Sequence, residues 1–357
     1  MTTSSISIDG REVGAGCPTY VIAELSANHG GSLERAIELV HLAADAGADA
    51  VKVQTYRPDT MTIDSDREPF RITGGTLWDG RTLFELYGEA MTPWDWHPVL
   101  QREAASAGIH FFSSPFDTTA VDFLVELDVP VFKIASFELV DHELIRYTAS
   151  HGRPLIMSTG MARPEEIDEA VAIAWEAGAP GVALLRCNSA YPAPPSEMDL
   201  RTIDDMAARW PIPVGLSDHT LGVTAAIVAV SLGATLLEKH LTLSREEPGP
   251  DSAFSLEPAE FAGLVRAVRE AEVALGSVRY GPSSREKSSL AFRRSLFVVA
   301  DVAAGDTFNP ANVRSIRPGD GLAPKYLGEV LGRRASRPIP RGTPLTWDLV
   351  EDRLLPG

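Results

Sequence analysis

The stretch Ala46–Tyr56, AGADAVKVQTY, decides the fold. Gly47 closes a helix-period segment, and the run after it alternates valine with polar residues, so the piece reads as helix end, glycine stop, strand. Glycine can take the left-handed conformation that ends a helix, which other residues adopt at a steric cost. The same junction recurs in AGIHFF from Ala107, HGRPLIMS from His151, AGAPGVALL from Ala177 and LGATLLEKH from Leu232. Reading outward from these junctions predicts eight strands: Tyr20–Leu25, Ala50–Thr55, His110–Ser113, Val131–Ile134, Leu155–Ser158, Val182–Cys187, Val214–Ser217 and Thr235–Lys239. Helical patterns separate them. In Leu33–Ala46, for example, Leu33, Ala36, Ile37, Val40, Ala43 and Ala44 recur at helical spacing behind a Ser32 N-cap. Eight βα units in about 260 residues is the arithmetic of an α/β chain folded as a (β/α)8 TIM barrel. The alternative, a doubly wound open sheet, lacks the glycine fingerprint expected after its first strand.

Two longer connections interrupt the spacing, Tyr56–Met91 with GGTLWDGRTLFELYG and Leu241–Leu256 with SREEPGPDSAF. Both follow strands, at the barrel end where active sites are built. Residues 1–276 are therefore expected to form the barrel, and the polar 277–289 a linker. Residues 290–357 are expected to form a small, mostly β domain in which VADVAAGDTF and PIPRGTPLTW are a faint repeat.

Composition limits the partners. The 357 residues carry 49 Asp plus Glu against 32 Lys plus Arg, a net charge of −17, which argues against nucleic acid or an anionic membrane surface. The two cysteines, Cys17 and Cys187, suit a reducing compartment. The N-terminal segment has no apolar core, and Val223–Leu237 is broken by Ser231, Gly233 and Thr235, so a cytoplasmic protein is expected.

Polar residues at strand ends carry the chemistry, because a buried strand has no structural need of them. Lys52 and Gln54 alternate with Val51 and Val53 and share one side of their strand. Lys52 and Lys133 are either two ion-paired structural lysines or, ringed by Ser136, Ser158, Ser189 and Ser217, an anion site. His219 in GLSDHT and His240 in EKH, on neighbouring strands, are either core histidines or ligands of a divalent metal with open positions for water and substrate. Glu24, Glu138, Glu238 and Asp251 are the candidates for proton transfer and for binding hydroxyls, Asp251 equally a turn residue. His29, in SANHGG, reads as structural or as a hydroxyl contact. Lys133 could serve as the nucleophile of a Schiff-base aldolase, but barrel aldolases place that lysine on the sixth strand, where this chain has Arg186.

These motifs resemble the sialic acid synthase family: IAELSANHGGSLERA, AGADAVKVQTY, FFSSPFD, FKIASFEL, PLIMSTGM, GLSDHTLG, EKHLTL, GPDSAFSLEP and RSIRPGDGL, nearly end to end. The resemblance implies a barrel followed by an antifreeze-like (SAF) domain. QTYRPDTMTID, GTLWDGRTLFELY, MTPWDW, RSLFVV and GTPLTWD most resemble the pseudaminic acid synthase branch. That branch condenses phosphoenolpyruvate with 2,4-diacetamido-2,4,6-trideoxy-altrose and releases phosphate; N-acetylneuraminate and legionaminic acid synthases share the core motifs. The resemblance further implies phosphoenolpyruvate on Lys52, Lys133, Ser136, Ser158 and Ser217, and Mn2+ or Mg2+ on His219 and His240. It implies sugar contacts from Glu24, Gln54, Tyr191 and Asp251, with Glu138 beside the enolpyruvate. Ser189 departs from the asparagine of the neuraminate synthases, leaving Ser189 or Asn188 as the phosphate donor. Arg317 is implied to reach the partner's sugar site in a homodimer with swapped SAF domains. A non-catalytic carbohydrate-binding barrel is the reading from another class.

Overall fold

A computed structural model describes residues 5–247 and 249–351, and the chain divides into two compact units, Met1–Gly276 and Ser277–Gly357. The first unit opens with an antiparallel hairpin, β1 (Ser5–Ile8) and β2 (Arg11–Gly14). Its turn is Asp9-Gly10, both with positive φ (49° and 78°), the backbone that a two-residue hairpin needs to match the strand twist. Ile6, Ile8 and Val13 are buried in the barrel core. The hairpin covers the end away from the active site: Arg11 pairs with Asp49, just ahead of the second barrel strand, at 2.7 Å. Ile6 lies so close to Gly181 that a Cβ there would sit 2.7 Å from its side chain.

Eight parallel strands then close into a barrel: β3 (Tyr20–Glu24), β4 (Ala50–Thr55), β5 (His110–Pro115), β6 (Phe132–Ile134), β7 (Leu155–Ser158), β8 (Val182–Cys187), β9 (Val214–Asp218) and β10 (Leu236–His240), with β10 bonded to β3. The strands are buried almost throughout, as expected when side chains fill the barrel and helices cover it. Between β3 and β4 runs the helix Leu33–Asp45, whose first turn is capped by Ser32 accepting from the Arg35 N–H. It buries Ala36, Leu39, Val40 and Ala43. The predicted stripe is thus rotated slightly, with Leu39 rather than Ile37 inside. Register fixes the site: Glu24 is opposite Lys52 on one side and His240 on the other, and Glu238 is opposite Ser217.

In the second unit β11 (Ser295–Val298) and β12 (Val313–Ile316) pair antiparallel over a small core that includes Leu296, Val298, Phe308 and Leu345. The two repeat segments face each other, with Val302 bridged to Ile339, and each turns at a positive-φ glycine, Gly305 and Gly342. Regular pairing is confined to two short strands, and isolated bridges hold the rest. Among the described residues no helix is long and apolar enough to cross a membrane.

Candidate active site

The strand ends enclose a cavity of about 420 Å³, within the range of small-molecule sites. Glu24, Lys52, Gln54, Lys133, Ser136, Glu138, Ser158, Tyr191, Ser217, His219, His240 and Asp251 all line it. At its base the charges alternate. Lys52 Nζ is 2.6 Å from Glu24 Oε2 and 3.6 Å from Glu238 Oε1, and Lys133 Nζ is 3.8 Å from the same Glu238 oxygen. Burial pushes the Glu238 carboxyl up, but Lys133 and Lys52 outweigh it and hold it below its usual range. Burial also pushes Lys52 down, and Glu238 and Glu24 more than reverse this. Lys133 differs: burial dominates, Glu238 only partly offsets it and the neighbouring Lys52 ammonium adds to the fall, so its ammonium is held below the ordinary lysine range. Its one hydrogen bond, to the Ile134 carbonyl, is 3.3 Å long. Both lysines are ion-paired, Lys52 closely to Glu24 and Lys133 at longer distance to Glu238.

Hydroxyls line the same cavity. Ser217 donates to Glu238 at 3.3 Å, Ser136 accepts from the Gly160 N–H at 3.1 Å, and the Ser158 hydroxyl is buried with no protein partner. Gly160 is required here, because a Cβ would lie 2.3 Å from Ser189 Oγ and 2.7 Å from Ser136 Oγ. Ser189 thus packs beside the ring. The Asn188 side chain is occupied in its own loop, donating to the Glu197 carbonyl and accepting from the Ala190 N–H.

Beside the ring stand the two histidines, ring centroids 5.3 Å apart. His219 donates from Nδ1 to the Asn188 carbonyl at 2.8 Å, which leaves Nε2 with its lone pair free. The buried His240 Nδ1 has no partner among the described residues, and burial holds this imidazole well below its normal pKa, as a neutral ligand requires. Among the described residues no group of three or more His, Cys, Asp or Glu is set to cage a metal. Burial pushes the His219 imidazole down, but Cys187 and the Asn188 carbonyl outweigh it and raise it above its ordinary range, so a cation would have to displace its proton. The pair fits a divalent cation only where water or substrate oxygens complete the coordination, which is the open geometry of catalytic sites.

A third cluster forms a polar wall. Gln54 donates to Glu24 at 3.1 Å and to the Ser26 hydroxyl at 3.0 Å, and Ser26 donates to Asp251. Burial raises the Asp251 carboxyl above its usual range. Glu138, on the single turn after β6, has one buried carboxylate oxygen without a partner, and burial lifts its pKa to about 7. His29 accepts from the Gly31 N–H and packs edge-on to Trp96, a local structural role. Over the cavity the first long connection contributes Met61, Ile72, Trp78, Leu83, Leu86 and Tyr87. Trp78 donates from Nε1 to the Pro250 carbonyl at 2.9 Å, joining the two connections, and its ring meets Tyr191. Arg317 belongs to the second unit, exposed just beyond β12.

Comparison with known proteins follows the same lines. A model of the NeuB family matches residues 39–280, and a model of the SAF domain matches residues 293–351. The chain belongs to the NeuB family. Within it, a pseudaminic acid synthase from Campylobacter jejuni subsp. jejuni serotype O:23/36 is 44% identical, covering 91% of this chain and 95% of its own. A pseudaminic acid synthase from Helicobacter pylori is 40% identical over 94% of this chain and 99% of its own. Among solved structures, N-acetylneuraminic acid synthetase from Leptospira borgpetersenii, in complex with citrate, superposes with a TM-score of 0.72 at 30% identity, over 81% of this chain and 95% of its own.

Several residues of this NeuB-family site escaped sequence reasoning as participants. Glu238 was a candidate carboxylate, but its place between two lysines depends on the β9–β10 register. Ser26, with a strained φ of 41°, and Trp78 lie inside the motifs IAELSANHGGSLERA and GTLWDGRTLFELY, but nothing there singles out either residue. Cys187 was read only for its compartment; its thiol is 3.8 Å from His219 Nδ1.

Proposed function

We propose that the chain is a pseudaminic acid synthase, a transferase that condenses phosphoenolpyruvate with 2,4-diacetamido-2,4,6-trideoxy-altrose. Its products are a nine-carbon 2-keto acid and inorganic phosphate. The observation that carries this is one cavity holding a weakly paired buried lysine in a ring of hydroxyls next to two histidines, of which His240 has an orphaned nitrogen. The kinship with pseudaminic acid synthases supplies the sugar.

Lys133, with Lys52 behind Glu238, holds the negative charge of phosphoenolpyruvate, while Ser136, Ser158, Ser189 and Ser217 donate to its oxygens. His219 and His240 would hold Mn2+ or Mg2+, which polarises the sugar aldehyde when bound. Glu24, Gln54, Tyr191 and Asp251 orient the sugar chain so that its aldehyde carbon faces C3 of the enolpyruvate. As the carbon–carbon bond forms, the aldehyde π electrons move to its oxygen, which becomes a hydroxyl by gaining a proton, and C2 is left electron-poor. A water molecule adds at C2, and the C2–O bond to phosphate breaks as the new C2 hydroxyl becomes the ketone. The two protons of that water end on the former aldehyde oxygen and on phosphate. Glu138 takes the proton of that water. Glu24 is the poorer candidate because Lys52 and Gln54 already occupy its oxygens. Phosphate release should occur with the altro-configured diacetamido sugar and not with manno- or legionaminate-type sugars offered separately. Release only with one of those would replace the sugar and keep the reaction class, and release with none would favour a binding protein.

The assembly proposed is a cytoplasmic homodimer with swapped SAF domains, residues 1–276, 277–289 and 290–357 being barrel, linker and SAF domain. Arg317 then supplies a sugar contact to the partner subunit. Mixing impaired Arg317→Ala with impaired Lys133→Met protein should raise the activity above that of either alone after subunit exchange, and no gain despite exchange would refute the swap.

A further inference from the structure

Along β9 and β10 the inward side chains are those of the cavity, Ser217, Glu238 and His240. The residues between them, Asp218 and Lys239, point away from it into the layer between sheet and helices. They lie opposite each other in the parallel register. Lys239 Nζ is 2.8 Å from Asp218 Oδ2, and neither side chain has any exposed surface. The same ammonium donates to the Thr220 carbonyl, and Asp218 Oδ1 accepts from the Thr220 N–H at 2.9 Å. His219 is therefore flanked on both sides by residues fastened to Lys239, and Lys239 is the residue immediately before His240.

Stability alone does not account for such a pair. Removing two charges from water costs several kcal/mol each, and apolar residues of similar volume commonly do as well or better at a buried position. What an ion pair adds is direction. The donors of Lys239 fix two oxygens beside His219, Asp218 Oδ2 and the Thr220 carbonyl, and the backbone of Lys239 fixes the start of His240. An apolar pair would fill the space and leave the strand end after Asp218 free to shift.

We propose that Asp218 and Lys239 are positioning residues that hold His219 and His240 at the separation needed to share one divalent cation. The inference rests on the cation reading of the two histidines. Partners that orient metal ligands without touching the metal are typically worth about 10- to 100-fold in affinity.

The test is Mn2+ binding to the full-length protein without substrates, read by the electron paramagnetic resonance signal of free Mn2+. Wild type, His219→Ala, Asp218→Asn and the apolar double variant Asp218→Leu/Lys239→Met are compared, together with the Tm of each metal-free protein. The double variant should melt within a few degrees of wild type or above it, bind Mn2+ at least about tenfold more weakly, and recover near-normal kcat at saturating Mn2+. A folded double variant with wild-type Mn2+ affinity overturns the proposal. If the double variant does not fold, Asp218→Asn decides: about threefold or greater weakening supports the pair's role, and unchanged affinity overturns it. Wild type that binds no Mn2+, or a His219→Ala protein that binds it normally, overturns the cation reading and the positioning role with it.

Discussion

The base and the cover of the cavity come from different kinds of structure. The base is made of strand ends, where register dictates which side chains meet: Glu24 beside Lys52 and His240, Glu238 beside Ser217. The cover is made by Met61, Ile72, Trp78, Leu83, Leu86 and Tyr87, all from the connection between β4 and β5. Charge and hydroxyls are concentrated below, and apolar surface above. Bond-making that demands positions held to within about half an ångström belongs on strands, while the shape of a substrate's far end can be read by loops. The comparison therefore divides the labour. Damage below should reduce kcat, and damage above should raise KM or change which sugar is accepted.

The largest effect is expected from the histidines. Exhaustive chelation, or His219→Ala, should abolish turnover while the barrel stays folded by circular dichroism, and added Mn2+ should restore the chelated enzyme alone. Undiminished turnover after chelation would remove the cation from the base of the cavity. Next comes Lys133→Met, which deletes the ammonium paired only at 3.8 Å, to Glu238. A charged hydrogen bond is worth about 1.5–3 kcal/mol, so kcat/KM for phosphoenolpyruvate should fall by about 10- to 150-fold. Borohydride should trap no pyruvate on the wild-type lysine; covalent pyruvate would make the base an aldolase site.

Glu138 tests the base through pH. Burial raises its pKa to about 7, above the ordinary value near 4.5. A base must be deprotonated, so kcat/KM should climb as pH rises through about 7, and Glu138→Gln should lose both most of the rate and that limb of the profile. The sign for stability is opposite. A carboxyl whose pKa is raised on folding contributes stability at low pH that is lost as pH rises through the folded value. The Gln variant should therefore lack the fall in Tm that wild type shows between about pH 4.5 and 7. An unchanged activity profile would return the role of base to Glu24.

Much of the base was legible in the sequence, and little of the cover. Glycine-ended helices gave the strand order, and polar residues at strand ends gave Lys52, Lys133, the serines and both histidines, because alternation along a strand is a local property. Pairing across strands is not local. Glu238 between two lysines, and Asp218 against Lys239, follow from a register that no single strand reveals. The hairpin β1–β2 is a different case: Asp9-Gly10 between Ile8 and Arg11 is a hairpin signal, obscured by the polar residues around it. In the connection over the cavity neither period applies, so nothing in WDG marked Trp78 as the residue that would meet Tyr191 and Pro250.

That tryptophan supplies the smallest and most discriminating prediction. Its indole Nε1–H bonds the Pro250 carbonyl one residue before Asp251, and its ring lies 5.7 Å from that of Tyr191. Trp78→Phe keeps an apolar ring in the cover and deletes only the link between the two connections. A neutral hydrogen bond is worth about 0.5–1.5 kcal/mol, so KM for the sugar should rise by about 2- to 12-fold. Neither kcat nor KM for phosphoenolpyruvate should follow, because no atom of the base moves with the indole. Should kcat fall in step with Lys133→Met, the cover would be acting on the chemistry through Asp251 and the polar wall of Ser26 and Gln54. Base and cover would then be one machine, and the division between strands and loops would fail at that wall.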